Sequence, residues 1–172
     1  MNFKKLKNIF TNFNLYLTRS LFLSISCELS QIVFLFTVYE NTQSVLKTSY
    51  LILIRSLVSI LTMYFIGPLV DKYSSKKVLF FSDIGQILLL LTFYFLGGLG
   101  STPSILIFSA CLTFFSSMTL PARKAIIPNI VKKENLQKAN GLIQGTIQSA
   151  FVLSYCFSSP LFNKFGLSLI IF

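Results

Sequence analysis

Apolar residues along this chain gather into long blocks separated by short polar or basic interruptions. The blocks run to about 16–22 residues, close to the ~20 a helix needs to cross a hydrocarbon core. A backbone in lipid must satisfy its own hydrogen bonds, so blocks of this length predict transmembrane helices. A barrel would need short alternating segments instead. The expected fold is all-α, a polytopic helical bundle. Its spans fall at about 21–39, 50–70, 78–96, 103–120 and 139–162. A polar turn over 40–44 follows the first span, and Gly97-Gly98-Leu99-Gly100-Ser101 breaks the third. Pro103 opens the fourth, in a first helical turn where proline is tolerated. Pro128 reads as a breaker in the following basic stretch, and 132–138 as a short amphipathic helix at the membrane surface. After Gly166 the chain continues for six residues, the start of a sixth span about 9 Å long. The expected organisation is an N-terminal segment 1–19, then a partial bundle 20–172 of about five complete spans plus the start of a sixth. Its loops lie near 71–77 and 121–139.

Composition agrees with the pattern. Hydrophobic residues make up 53% and charged residues 12%, about half the charged fraction of a soluble domain. The net charge of +10 would fit nucleic-acid binding, but its distribution has another cause. Lys4, Lys5, Lys7 and Arg19 precede the first span; Lys72, Lys76 and Lys77 follow the second; Arg123, Lys124, Lys132, Lys133 and Lys138 follow the fourth. All three groups fall on one side, whereas the other side has Lys47 and Lys164. Such asymmetry orients a membrane protein and puts the N-terminus in the cytoplasm, with the plasma membrane as the expected location. No nucleic-acid partner is needed to explain it.

Cys27, Cys111 and Cys156 fall within spans and read as small packing residues. There is no histidine, no metal-ligand spacing, and no paired nucleophile and base. The sequence therefore offers no metal site, no cofactor and no enzyme chemistry.

Glu28, Arg55 and Asp83 are the ionisable residues inside the expected spans. Charges at such depth usually face a bundle interior or a water-filled cavity. Glu28 lies roughly 11 Å from the cytoplasmic end of its span, and Asp83 roughly 8 Å. Arg55 is at a similar depth from the outer side, so it and Asp83 are equally readable as residues that snorkel to an interface. Glu28 is the candidate proton or cation site. In the fifth span Gly141, Gly145 and Ser149 recur every four residues, a face small enough for another helix to approach closely.

One stretch carries a family resemblance. Gly67-Pro68-Leu69-Val70-Asp71-Lys72-Tyr73-Ser74-Ser75-Lys76-Lys77 resembles the signature loop between the second and third helices of major facilitator superfamily transporters. Arg55, Ser82-Asp83, Pro121-Ala122-Arg123, Pro128 and Ala139-Asn140 follow in the order of the branch that includes macrolide efflux proteins and enterobactin exporters. The resemblance implies the N-terminal half of a twelve-helix carrier that exports a small, drug- or siderophore-like solute. It also implies a gating loop in which Gly67 permits close packing, Asp71 latches the cytoplasmic side, and Lys72, Lys76 and Lys77 supply the basic charge. Two places depart from the branch: Ser74-Ser75 stands where Gly-Arg or Asp-Arg is usual, and the fifth helix has Ser154-Tyr155 and Ser158-Ser159 in place of its Gly-Pro and Gly-Gly kink. The partners implied are the lipid bilayer, a small-molecule substrate and a C-terminal half that is missing or separately encoded. A non-transporting membrane scaffold and an inactive truncated remnant remain alternatives.

Overall fold

The structure is a computed structural model. It describes the backbone of residues 3–96 and 101–170, and side chains over 13–158 apart from 69, 71 and 97–100. Among the described residues five α-helices follow one another: α1 Phe3–Thr42, α2 Val45–Lys72, α3 Ser75–Phe95, α4 Thr102–Ile130 and α5 Leu136–Ile170. A single 3-10 turn, Lys133–Asn135, joins α4 to α5. Four apolar stretches are long enough to cross a membrane: Phe13–Thr42, Val45–Pro68, Ser75–Phe95 and Thr102–Ile130. α5 exceeds that length but carries more polar residues.

The helices are longer and the connections shorter than the sequence pattern predicts. α1 begins well ahead of residue 21, so Arg19 lies inside the first apolar stretch and not in a segment preceding it. The expected turn at 40–44 shrinks to Gln43 and Ser44. Gln43 adopts a left-handed φ of 48° and its N–H bonds the carbonyl of Tyr39 at 2.7 Å, which closes α1. Ser44 starts α2, its hydroxyl accepting from the Lys47 N–H at 3.4 Å. The turn between α2 and α3 is likewise two residues, Tyr73 and Ser74, because α2 continues through Gly67 and Pro68 to Lys72. The glycine-rich break at 97–100 lies outside the described residues.

α4 runs through both Pro121 and Pro128, which the sequence reading took as the end of the span and a breaker beyond it. Each proline removes one backbone donor, leaving the carbonyls of Ser117 and Lys124 without their usual partners. Helices packed in a bundle tolerate such a loss because neighbouring groups can compensate. Residues 136–138 belong to α5, so the short amphipathic helix reduces to the 3-10 turn before it. α5 also continues past Gly166 to Ile170, so among the described residues the stretch read as the start of a sixth span is part of α5. A helical glycine costs only about 1 kcal/mol, too little to end a long helix.

α4 stands at the centre. α1, α2, α3 and α5 all touch it, and α1 packs along α5. Interhelical hydrogen bonds between small side chains join these elements. Ser117 Oγ donates to Ser59 Oγ at 3.1 Å, tying α4 to α2. Ser82 Oγ donates to the Phe115 carbonyl at 2.6 Å, tying α3 to α4. With its proton so used, Ser82 accepts from Gln86 Nε2 at 3.1 Å and lies 3.2 Å from Thr119 Oγ1. At the same crossing a Cβ on Gly85 would run into the Phe115 ring, so α3 and α4 meet through a glycine.

Two apolar clusters cap the bundle. Towards the α1–α2 turn, Phe34, Val38, Leu51, Phe93, Ile105 and Leu112 are buried together. The Phe93 ring meets Phe34 and Phe108 edge-on, with centroids 5.0 and 5.3 Å away. Towards the α2–α3 turn the cluster is aliphatic apart from Tyr16; it includes Ile66, Val70, Val78, Leu79, Ile126 and Ile143.

Candidate functional site

Between the two clusters lies a cavity of about 660 Å³, walled by α1, α2, α4 and single residues of α3 and α5. Its size falls in the ordinary range for small-molecule sites. All three arginines of the chain line it: Arg19 from α1, Arg55 from α2 and Arg123 from α4. No described lysine does. Glu28 shares the wall, as do Gln31 from α1 and Gln86 from α3. Most of the remaining lining is serine and threonine, and Tyr16 is the one aromatic residue among the described residues there.

Arg19 is anchored. Its guanidinium holds Asp83 of α3 in a two-pronged ion pair, Nε donating to Oδ2 at 2.6 Å and Nη2 to Oδ1. Both side chains are mostly shielded, at 24% and 19% exposure. α1 and α3 share little backbone contact, so this pair is a principal polar link between them. Planar guanidinium and carboxylate groups suit such a bidentate fit, which a lysine could not make. The Arg19 Nη1 atom is buried without a protein partner. The same holds for Arg55 Nε and for Gln31 Oε1, although Gln31 as a whole is only 4% exposed. These atoms belong to residues of one cavity wall. Gln31 is steered by its Nε2, which donates to Thr113 Oγ1 at 3.5 Å.

The expected site residues separate into three groups. Glu28 and Arg55 come together on the cavity wall, while Asp83 stands behind it, clasped by Arg19. Lys72, Lys76 and Lys77 are exposed around the α2–α3 turn, and the Lys72 ammonium sits 5.9 Å from the Tyr73 ring centre. A Cβ on Gly67 would find nothing within 4 Å. Asp71 belongs to the last turn of α2, but its side chain lies outside the described residues. On α5, Gly141, Gly145 and Ser149 are exposed and both glycines face open space. α5 buries other residues, Ala139, Ile143, Ala150 and Ser154; Ser154 Oγ lies 2.8 Å from the Ala150 carbonyl and 3.3 Å from that of Ile25 on α1. Of the cysteines, Cys27 is half-buried between the cavity and the cluster near the α1–α2 turn, against which it packs as the sequence predicts, whereas Cys156 is exposed.

Sequence reasoning missed Arg19 and Arg123, counting both as orienting charges beside the lysines. A signal was available. Basic residues flanking the spans are lysines almost throughout, and the three arginines are the exceptions.

Apolar helices with charged residues turned onto a cavity that opens at the bundle surface are features shared with membrane carriers. The Major Facilitator Superfamily profile matches residues 10–172, and the chain belongs to that family. An uncharacterized MFS-type transporter of Bacillus subtilis (strain 168), YjbB, is 32% identical to it over 150 residues. That alignment takes in 83% of this chain and 35% of the relative, so the chain spans about a third of the relative's length. No solved structure matches.

Proposed function

We propose that this chain forms most of one helical bundle of a facilitator-type transporter that exports a small organic solute across the plasma membrane. The observation that carries this reading is the convergence of Glu28 and the three arginines on one cavity inside an otherwise apolar bundle. Charges at such depth are costly and are kept where they handle a solute or an ion. Carriers of this architecture rock two bundles about a site near the membrane midplane. The exposed Gly141, Gly145 and Ser149 face gives a second bundle a place to approach α5 closely. The N-terminus and the α2–α3 turn lie in the cytoplasm on this reading, where Asp71 latches the bundles and Lys72, Lys76 and Lys77 keep the turn on that side. The drug- and siderophore-exporter branch is the part of the family whose motif order the chain resembles.

Glu28 is the proton or cation site. It shares its surroundings with Arg19, Arg55 and Arg123 from three helices, with Tyr16 and Cys27 on its own helix, and with Asp83 behind Arg19. The test is solute flux driven by a pH gradient in everted vesicles holding the complete transporter. Glu28→Gln flattens the pH dependence and Asp71→Asn abolishes flux without loss of membrane insertion. An unaltered pH profile in the first variant removes Glu28 from coupling, and undiminished flux in the second removes the latch.

A further inference from the structure

We infer that the solute handled by the cavity is an organic anion carrying its own hydroxyl or N–H donors, and not a lipophilic cation. The inference rests on the transporter reading above and narrows its substrate class.

Charge is the first ground. Three arginines are set against Glu28 on the wall and Asp83 behind it, which leaves one positive charge in excess there. Asp83 engages Arg19 only through Nε and Nη2, which leaves Nη1 buried and unmatched. Arg55 Nε is buried and unmatched too, and no carboxylate among the described residues makes an ion pair with Arg55 or Arg123. An unsatisfied buried donor on a charged group costs more than a neutral one. A carboxylate or phosphate oxygen in the cavity would relieve that cost, and guanidinium is the side chain best shaped to hold one.

Hydrogen-bond bookkeeping is the second ground. Ser56 Oγ donates to the Ile52 carbonyl, Ser116 Oγ to that of Thr113, and Thr113 Oγ1 to that of Ser109. Each of these hydroxyls has spent its one proton on its own helix and keeps lone pairs for a visitor. Gln31 Oε1 is buried with no donor at all. The wall therefore offers donors from arginine and the unpartnered Tyr16 hydroxyl, and acceptors from these three hydroxyls and Gln31. The complementary solute presents an anionic group and its own donors.

What is missing from the wall is the third ground. The chain has nineteen phenylalanines, yet none of them lines the cavity among the described residues. Cation recognition by aromatic faces needs such rings, and Tyr16, the one aromatic residue on the described wall, is already faced by the Arg19 guanidinium, 5.6 Å from its ring centre. The described phenylalanines are spent on the two apolar clusters and on the outer surface.

The experiment compares two dyes built on one ring system and opposite in charge, fluorescein and rhodamine 123. Binding is read by fluorescence anisotropy with the complete purified protein in nanodiscs of zwitterionic lipid. Fluorescein is expected to bind saturably and more tightly than rhodamine 123. Arg55→Gln and Arg123→Gln each weaken it about tenfold, the loss of one charged hydrogen bond. Arg55→Lys, which keeps the charge, retains most of the affinity and guards against a folding defect in the glutamine variant. Lys47→Gln, an exposed charge outside the cavity, changes nothing. Tighter binding of rhodamine 123, binding of neither dye, or equal fluorescein affinity in both arginine variants overturns the inference. Flux driven by a pH gradient in vesicles is measured separately, so the transporter reading survives or fails on its own result.

Discussion

The two ends of this bundle are closed by different physics. Near the α1–α2 turn, Phe93 is fully buried and locked edge-on between Phe34 and Phe108, with Leu51, Ile105 and Leu112 around it. Near the α2–α3 turn the packing is largely aliphatic around Tyr16, and a principal polar link between α1 and α3 is the Arg19–Asp83 ion pair. An aromatic plug depends on shape and cannot be loosened without opening a void. An ion pair depends on charge, so a competing charge, a proton or an anion can release it. A bundle with one end rigid and the other releasable has a built-in direction for opening.

Substitutions can break that contrast, and the largest effect falls at the rigid end. Phe93→Ala removes the central ring of the plug and costs about 3–5 kcal/mol, read as a fall in the unfolding midpoint in mixed lipid–detergent micelles. Arg19→Gln comes next. It strands Asp83, and because the pair is only partly buried the loss is about 2 kcal/mol, between the exposed and buried limits. The double variant Arg19→Met with Asp83→Leu recovers most of that stability, since no charge is left without a partner. If the pair is the releasable closure, the double variant stays folded and loses flux. Full flux in that variant would reduce the pair to a structural tie. Gly85→Ala sharpens the comparison at the α3–α4 crossing, where the methyl group pushes on the Phe115 ring at a cost of about 1–2 kcal/mol. A thermal melt of the purified variant checks it. The smallest effect is a gain: Gln43→Gly relieves the left-handed backbone of the α1–α2 turn and raises stability by about 0.5–1 kcal/mol.

The sequence disclosed the membrane-spanning character and four of the spans because each rests on a local property, a long run of apolar residues. Glu28 and Arg55 stand out in it as charges interrupting such runs, and both are half-buried on the cavity wall. What it hid was pairing. Arg19 and Asp83 are 64 positions apart, and nothing local to either names the other. Arg19 also sits beside the polar Thr18 and Ser20, where a count of flanking charges absorbs it as an orienting residue. Pro121 and Pro128 misled in the opposite sense. Proline is a strong local signal, yet α4 packs against α1, α2, α3 and α5 and carries both residues without ending. The Gly85 contact was invisible because the ring that requires it comes from α4.

The two-residue joints at Gln43–Ser44 and Tyr73–Ser74 carry a mechanical consequence. A pair of residues reaches at most about 7 Å, so α1, α2 and α3 are hitched end to end with almost no slack. Sliding of one helix past its neighbour by a full turn would snap these hitches taut. Spectroscopic rulers placed between α1 and α2 should therefore keep one fixed separation through a transport cycle, and whatever swings must swing as a block.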